Sequence, residues 1–203
     1  MPKFLTETEE ARFRQELCDV ATRLFTDRGF ASVTMRSLAR ELGCSRTTPY
    51  RYFKDKEDIL ATVRAAGFAR LADRLTSFSP SGDVIDRIRV LGHHYVEFGT
   101  AEPDLYRLMF DMNQPDTDPH RLLEAEIDRN RQAVRAAVQQ AVAAGRLTGD
   151  PIVLARLFWA GLHGLVELHL EDKFSPDHDL ETLTSAMIDT LLAGMTATTA
   201  DPA

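Results

Sequence analysis

The stretch "SVTMRSLARELGCSRTTPYRYF", residues 32–53, decides the fold because two short helical patterns meet within it at a tight turn. Thr34 can accept an unpaired backbone N–H as the cap of the first pattern, which Gly43 ends. Ser45 follows almost at once and predicts the cap of a second short helix. Two short helices joined by a glycine-containing turn are typical of the helix-turn-helix arrangement.

Pro49 falls in the first turn of that second predicted helix. With Ser45 as cap, Pro49 removes the first intrahelical hydrogen bond and crowds the Ser45 carbonyl. Three alternatives remain open: an opened first turn, a cap shifted by one or two residues, or simple tolerance of the proline. Tyr50 and Phe53 are predicted to supply the buried side of this helix.

Helical periodicity continues on both sides of the quoted stretch. Before it, Phe13 to Phe25 predict a helix that ends at Gly29, and after it Asp55 predicts the cap of a long helix. Asp–Pro pairs at 118–119 and 150–151 predict the starts of two later helices. With no strand alternation, the sequence predicts an all-α fold of roughly nine helices. The later predicted helices cover residues 83–100, 103–112, 119–145, 151–172 and 179–194.

The charge of the chain is unevenly distributed along its 203 residues. The net charge is -7, but residues 1–56 hold 11 Lys and Arg against 8 Asp and Glu, and residues 36–56 alone have a net charge of +4. A local basic surface in an acidic chain is compatible with nucleic-acid binding. The longest apolar stretch, near residues 157–166, is about half of a bilayer span, and the first residues lack a secretion signal pattern. We therefore expect no membrane crossing and a cytoplasmic location.

A single helix fits the major groove of DNA, so only a few side chains can read base edges. The exposed candidates are the polar and basic residues after Ser45, with phosphate contacts expected from the aromatic and basic residues at the groove flank. Alternatively, Tyr50 packs in the core with Phe53, and Arg36 and Arg40 form a solvated face. The candidate DNA-binding residues are Thr34, Arg46, Thr47, Thr48, Tyr50, Arg51, Tyr52 and Lys56.

The run "GFASVTMRSLARELGCSRTTPYRYFKDKEDIL", residues 29–60, resembles the DNA-binding domain of the tetracycline-repressor (TetR) family. The resemblance implies a helix-turn-helix domain at 8–56 and an effector-binding and dimerisation domain at 57–198. It also implies that residues 46–52, apart from Pro49, belong to the recognition helix, while Thr34 and Lys56 contact the DNA backbone. Pro49 and Thr47 depart from the family pattern, so base assignments do not transfer.

In proteins similar to this one, the last two helices of each subunit form a homodimer interface, and the larger domain holds a small-molecule effector. The segment "WAGLHGLVELH" further resembles a C-terminal subtype with a Trp, His and Gly signature. A role in the hydrophobic core is the alternative for each candidate pocket residue. The His163–Glu167 and His94–Glu97 spacings could also hold a metal, although no third ligand is indicated. The candidate pocket residues are Phe68, His94, Phe98, Met109, Phe110, Phe158, Trp159 and His163.

The sequence therefore predicts a homodimeric transcription regulator, a repressor released from a palindromic DNA operator by a small, largely hydrophobic or aromatic effector. No cofactor and no metal are predicted, and no enzyme motif is present. One alternative is a constitutive or partner-regulated DNA binder without an effector. Another is a small helical enzyme that uses His163 with Glu167.

Overall fold

The computed structural model describes residues 6–77, 82–111, 121–175 and 177–196. Within these ranges the chain is all-α, as predicted, with eight α-helices, two three-residue 3-10 helices and no strand. The predicted count of nine α-helices is matched only roughly. The α-helices are α1 (Glu7–Arg28), α2 (Met35–Glu41), α3 (Lys56–Thr76), α4 (Val84–Ala101), α5 (Pro103–Phe110), α6 (Leu122–Ala143), α7 (Pro151–Leu170) and α8 (Leu180–Met195).

Most helix ends lie where the sequence predicts them. The Thr34 hydroxyl accepts a hydrogen bond of 3.1 Å from the Ser37 N–H at the start of α2. Gly29 and Gly43 have φ values of +74° and +64°, which residues with a side chain rarely adopt. The pair 118–119 lies outside the described residues. Side-chain N-caps are also formed by Asp83, Asp150 and Asp179.

The chain divides into two compact units. Met1–Phe68 and Asp104–Ile127 form the first unit, and Ala69–Pro103 and Asp128–Ala203 form the second. Helices α3 and α6 each contribute residues to both units. The functional boundary at residues 56 and 57 stays a prediction, because this division is one of packing.

The core of the first unit is built from the inner faces of α1, α2 and the start of α3. Leu17, Leu38 and Ile59 are fully buried there. Cys18, beside Leu17, is largely enclosed, and burial raises the pKa of its thiol to about 12. This thiol therefore stays protonated at neutral pH, in keeping with a structural role.

In the second unit α4 packs against both α7 and α8. Gly92 lies in this contact, where an added Cβ would lie 2.7 Å from Ile188 Cδ1 and 3.1 Å from Phe158 Cζ. Phe158 and Ile188 are themselves buried. Glycine at this position leaves room for the Ile188 and Phe158 side chains, and a larger residue would force at least Ile188 to shift.

Helix α7 combines high apolarity with high exposure. This helix of 20 residues is long and apolar enough to cross a membrane by length and composition. Its most apolar stretch of 18 residues has a mean hydropathy of 1.3, yet only 28% of that stretch is buried within the chain. A helix of this kind is weak evidence for a membrane span. Its exposed large side chains are Ile152, Val153, Leu157, Trp159 and Leu168.

Candidate functional site

The segment after the turn, residues 45–53, is called the recognition segment below. It contains the 3-10 helix Pro49–Arg51 in place of the predicted α-helix from Ser45, so that prediction is wrong. The Thr48 N–H donates to the Ser45 carbonyl at 3.0 Å, an i→i+3 bond. Because Pro49 has no N–H, it cannot donate the i→i+4 bond of an α-helix to the same carbonyl. Of the three geometries that the sequence left open at Pro49, the structure therefore has the opened first turn.

The 3-10 turn also changes which side chains face the core. Pro49 is buried and Phe53 is 2% exposed, whereas Tyr50 is 58% exposed. The prediction that Tyr50 supplies the buried side is therefore wrong. The inner side of the segment is therefore formed by Pro49 and Phe53.

The outer side of the recognition segment is polar and basic. Arg46, Thr47 and Arg51 are exposed together with Tyr50, and Thr48 is half-buried. The Ser45 hydroxyl bonds to the hydroxyls of Thr47 and Thr48 at 3.1 and 2.8 Å. Guanidinium, hydroxyl and phenol groups are the donors that contact guanine edges and phosphates in DNA complexes.

Tyr52 lies differently from Tyr50. Its ring centroid is 4.8 Å from that of Phe13 on α1. Its phenol oxygen is buried and has no hydrogen-bond partner among the described residues. A phosphate contact from Tyr52 therefore requires its ring to leave Phe13.

Lys56, at the first position of α3, is engaged with the protein itself. Its ammonium donates to the Phe30 carbonyl at 2.8 Å and to the Ala31 carbonyl at 3.4 Å. It also lies 4.2 Å above the centre of the Phe30 ring. These contacts hold the 3-10 turn Phe30–Ser32 that leads into Thr34 and α2.

The candidate effector residues lie in both units. In the first unit Phe68 on α3 and Phe110 on α5 meet edge to face, with ring centroids 5.3 Å apart. Met109 is 1% exposed and packs so closely that an added Cβ on Gly67 would lie 2.6 Å from its Sδ. These three residues belong to the packing of α3 against α5.

In the second unit Trp159 and His163 on α7 stack with ring centroids 5.2 Å apart, and both reach Tyr95 on α4. Trp159 Nε1 donates to the Tyr95 hydroxyl at 3.0 Å, which lies 3.4 Å from His163 Nδ1. We call these three side chains the Tyr95 cluster. The sequence did not single out Tyr95, since its partners are 64 and 68 residues away.

The other candidates of the second unit divide into buried apolar and polar groups. Phe98 and Phe158 are each 2% exposed, while Trp159 is 43% exposed. His94 Nδ1 lies 3.2 Å from the Arg74 carbonyl. Burial lowers the pKa of His163, and Glu167 one turn later opposes this. Among the described residues, no group of three His, Cys, Asp or Glu side chains could hold a metal ion.

Two family models match the chain where these features lie. Residues 17–63, which contain the second half of α1, all of α2 and the recognition segment, match the model of bacterial regulatory proteins of the tetR family. Residues 88–191, about half of the chain, match the tetracyclin repressor-like C-terminal domain. The chain belongs to the TetR family. It is therefore placed among DNA-binding transcriptional regulators, and the resemblance first seen in residues 29–60 is confirmed.

The TetR chain is also similar to individual relatives. The HTH-type transcriptional regulator AcrR of Shigella flexneri is 27% identical over 109 residues, which cover 53% of this chain and 50% of the relative. An uncharacterized HTH-type regulator of Mycobacterium tuberculosis strain H37Rv is 51% identical over 41 residues, 20% of each chain. The matches thus span half or less of these curated relatives.

Solved structures share the fold over nearly the whole chain. A protein of unknown function from Rhodococcus sp. RHA1 has a TM-score of 0.80 at 23% identity, over 97% of this chain and 100% of that one. A tetR-family regulatory protein from Rhodococcus RHA1 has a TM-score of 0.75 at 16% identity, over 91% and 97% of the two chains. At these identities the likeness concerns the fold alone.

Proposed function

We propose that this protein is a cytoplasmic repressor that binds a palindromic DNA operator as a homodimer and is released by a small, largely hydrophobic or aromatic effector. One observation carries the DNA-binding part. The recognition segment buries Pro49 and Phe53 and turns Tyr50, Arg46 and Arg51 outward. A short segment with an apolar inner side and a basic, hydroxyl-rich outer side suits a DNA groove.

The proposed contacts divide by chemistry. Arg46 and Arg51 can take guanine through two hydrogen bonds, and Thr47 and Thr48 can pack on a thymine methyl. The hydroxyl or ammonium groups of the remaining residues are assigned to phosphates, which position the segment without reading sequence. These phosphate contacts are Thr34, Tyr50 and Lys56, together with Tyr52 in a DNA-bound form in which its ring has left Phe13.

The homodimer is supported by the exposed face of α7. Val153, Leu157 and Leu168 lie at helical spacing on this face and are exposed in the single chain. An added Cβ on Gly164 would meet no atom within 4 Å. Large apolar side chains beside an unfilled glycine suit a second copy of α7 and α8, and the resulting two-fold axis matches a palindromic operator.

The effector site is proposed among the predicted pocket residues of the second unit, with the Tyr95 cluster as the group that meets a polar atom of the ligand. Trp159, His163 and Gly164 also give the segment its likeness to the Trp-His-Gly subtype. An effector that favours one spacing of the two recognition segments lowers DNA affinity by its difference in affinity for the two states. We keep residues 8–56 as the DNA-binding domain and 57–198 as the effector and dimerisation domain.

The DNA-binding part is tested by selecting bound duplexes from a random-sequence pool with the wild-type protein. Arg46→Ala and Tyr50→Ala are each expected to weaken binding to the selected duplex by roughly tenfold. Arg135→Ala, which removes an exposed arginine on α6, serves as the matched control. Failure to enrich any sequence, or equal losses for all three variants, would contradict the proposal.

The effector part is tested through Trp159, the only tryptophan of the chain. A library of hydrophobic and aromatic compounds is titrated against its fluorescence, and each compound that quenches it is added to the protein on the selected duplex. Release of DNA by such a compound supports the proposal. DNA binding that no quenching compound changes supports the alternative of a constitutive or partner-regulated binder.

A further inference from the structure

The recognition segment has little helical backbone support of its own. The Arg51 N–H donates to the Thr48 carbonyl, and the N–H groups of Tyr52 and Phe53 share the Pro49 carbonyl, each at 3.1 Å. Most of these are i→i+3 bonds, whose geometry is poorer than that of α-helical bonds. A segment this short therefore needs contacts from outside to keep one orientation.

Arg14 on α1 supplies such contacts at the C-terminal end of the segment. Its Nη1 donates to the Tyr52 carbonyl at 2.8 Å, and its guanidinium carbon lies 4.4 Å above the centre of the Phe53 ring. The last carbonyls of a helix lack partners within the helix, and a cation is favourable beside them. Arg14 thus caps the turn and stacks on its buried anchor with one planar group.

The neighbouring residue Phe13 strengthens this attachment by packing on the Tyr52 ring. The two residues of α1 therefore contact both the backbone and a side chain of Tyr52. Nothing comparable is needed at α2, whose seven residues have a full capping box at Thr34. The dependence on α1 follows from the opened turn at Pro49.

We propose that Arg14 is a positioning residue for sequence recognition. It holds the recognition segment so that Arg46 and Arg51 present one arrangement to the base edges. The inference rests on the proposed DNA-binding function. It assigns to α1 a part in specificity although Arg14 does not touch a base.

Because the Arg14 side chain is exposed, a direct phosphate contact is the competing role, and the two roles differ in what they change. A phosphate contact adds affinity for every sequence and adds about one unit to the slope of log K against log salt. A positioning residue instead sets the ratio of selected to random affinity. Lysine keeps the charge but lacks the planar group that stacks on Phe53.

The first experiment measures dissociation constants over a salt series for the wild-type-selected duplex and a random duplex of equal length. We expect Arg14→Gln to lower the ratio of selected to random affinity by about tenfold, with a salt slope within about half a unit of wild type. For Arg14→Lys this affinity ratio should lie between those of wild type and Arg14→Gln. Arg12→Gln, on the same helix, should match wild type. Equal losses on both duplexes with a slope lower by about one, or no loss, would overturn the inference.

The second experiment needs no DNA and follows hydrogen exchange of amides 46–53 in the protein alone. We expect Arg14→Gln to speed exchange at residues 46–48 and 50–53, which have an N–H, by roughly threefold or more while α7 keeps its wild-type rates. Unchanged exchange in 46–53 overturns the inference even if DNA affinity falls. If thermal melting shows that Arg14→Gln is unfolded, Arg14→Lys decides by the same criteria. A wild-type protein that selects no duplex contradicts the proposed function, whereas the exchange result still decides what Arg14 does to the segment.

Discussion

The recognition segment and α7 are both exposed, but their exposure has opposite chemistry and opposite support. The recognition segment is short, basic and held by side chains from α1, whereas α7 has 20 residues, an intact helical backbone and large apolar side chains facing outward. A polar surface can remain in water without cost. What the recognition segment needs is therefore a set of contacts that fix its orientation. An apolar surface of this size favours a partner.

The largest effect is expected from placing a charge on the apolar face of α7. Leu157→Glu leaves the single chain folded because Leu157 is 51% exposed. In a dimer that buries this face, an unpaired carboxylate should weaken self-association on the order of 100-fold. Sedimentation across a concentration series measures this.

The matched control for that prediction is Gln139→Glu on the exposed side of α6, which should sediment like wild type. An unchanged dimer for Leu157→Glu would show that α7 faces something other than a second copy. The exposed apolar face of α7 would then no longer be explained by dimer formation.

A smaller effect is expected from Lys56→Gln, which tests the polar surface. Loss of the ammonium removes two hydrogen bonds to the turn at Phe30 and should lower the free energy of unfolding by about 1–3 kcal/mol. If Lys56 also contacts phosphate as proposed, the salt slope of DNA binding should fall by about one unit. A lower stability with an unchanged slope would restrict Lys56 to holding the turn.

Removing one hydroxyl group from α2 should cost more unfolding free energy than removing one from the recognition segment. Thr34→Ala breaks the capping box of α2 and should cost about 1 kcal/mol of unfolding free energy. Thr47→Ala, whose hydroxyl bonds only to another exposed hydroxyl among the described residues, should cost less than about 0.5 kcal/mol. Urea denaturation of both variants measures the difference in unfolding free energy. An equal loss for the two variants would contradict the view that the Thr47 hydroxyl, unlike that of Thr34, caps no helix.

The smallest effect concerns pH and the Tyr95 cluster. Because burial lowers the pKa of His163, its native state resists protonation, so its contribution to stability is complete above the unfolded-state pKa near 6.5 and is lost as the pH falls below it. His163→Gln should therefore reduce the difference in unfolding free energy between pH 7.5 and pH 5. Glu167→Gln should enlarge that difference, because Glu167 raises the His163 pKa. A difference that neither variant changes would contradict this account.

The sequence predicted the helices and their caps well because these depend on neighbours along the chain. Thr34, Gly43 and Asp150 act through bonds within four residues of themselves. The recognition segment was predicted less well, since Pro49 left three geometries open and the spacing of residues did not choose among them. The burial of Pro49 and the exposure of Tyr50 could not be read from that spacing either.

The parts of the site that could not be predicted depend on distant residues. Arg14 meets Tyr52 across 38 positions, and Tyr95 meets His163 across 68. No spacing rule links such pairs in a single sequence. The grouping of Phe68 and Met109 with pocket residues of the other compact unit stays a prediction.

The enclosed thiol of Cys18 has a practical consequence for experiments. With its pKa raised to about 12, it carries almost no thiolate at neutral pH, and thiolate is the form that reacts with maleimides. The only other cysteine, Cys44, stands directly before the recognition segment. A fluorophore or spin label should therefore attach first at Cys44 in the wild-type protein, which puts a reporter beside the recognition segment without engineering a new cysteine.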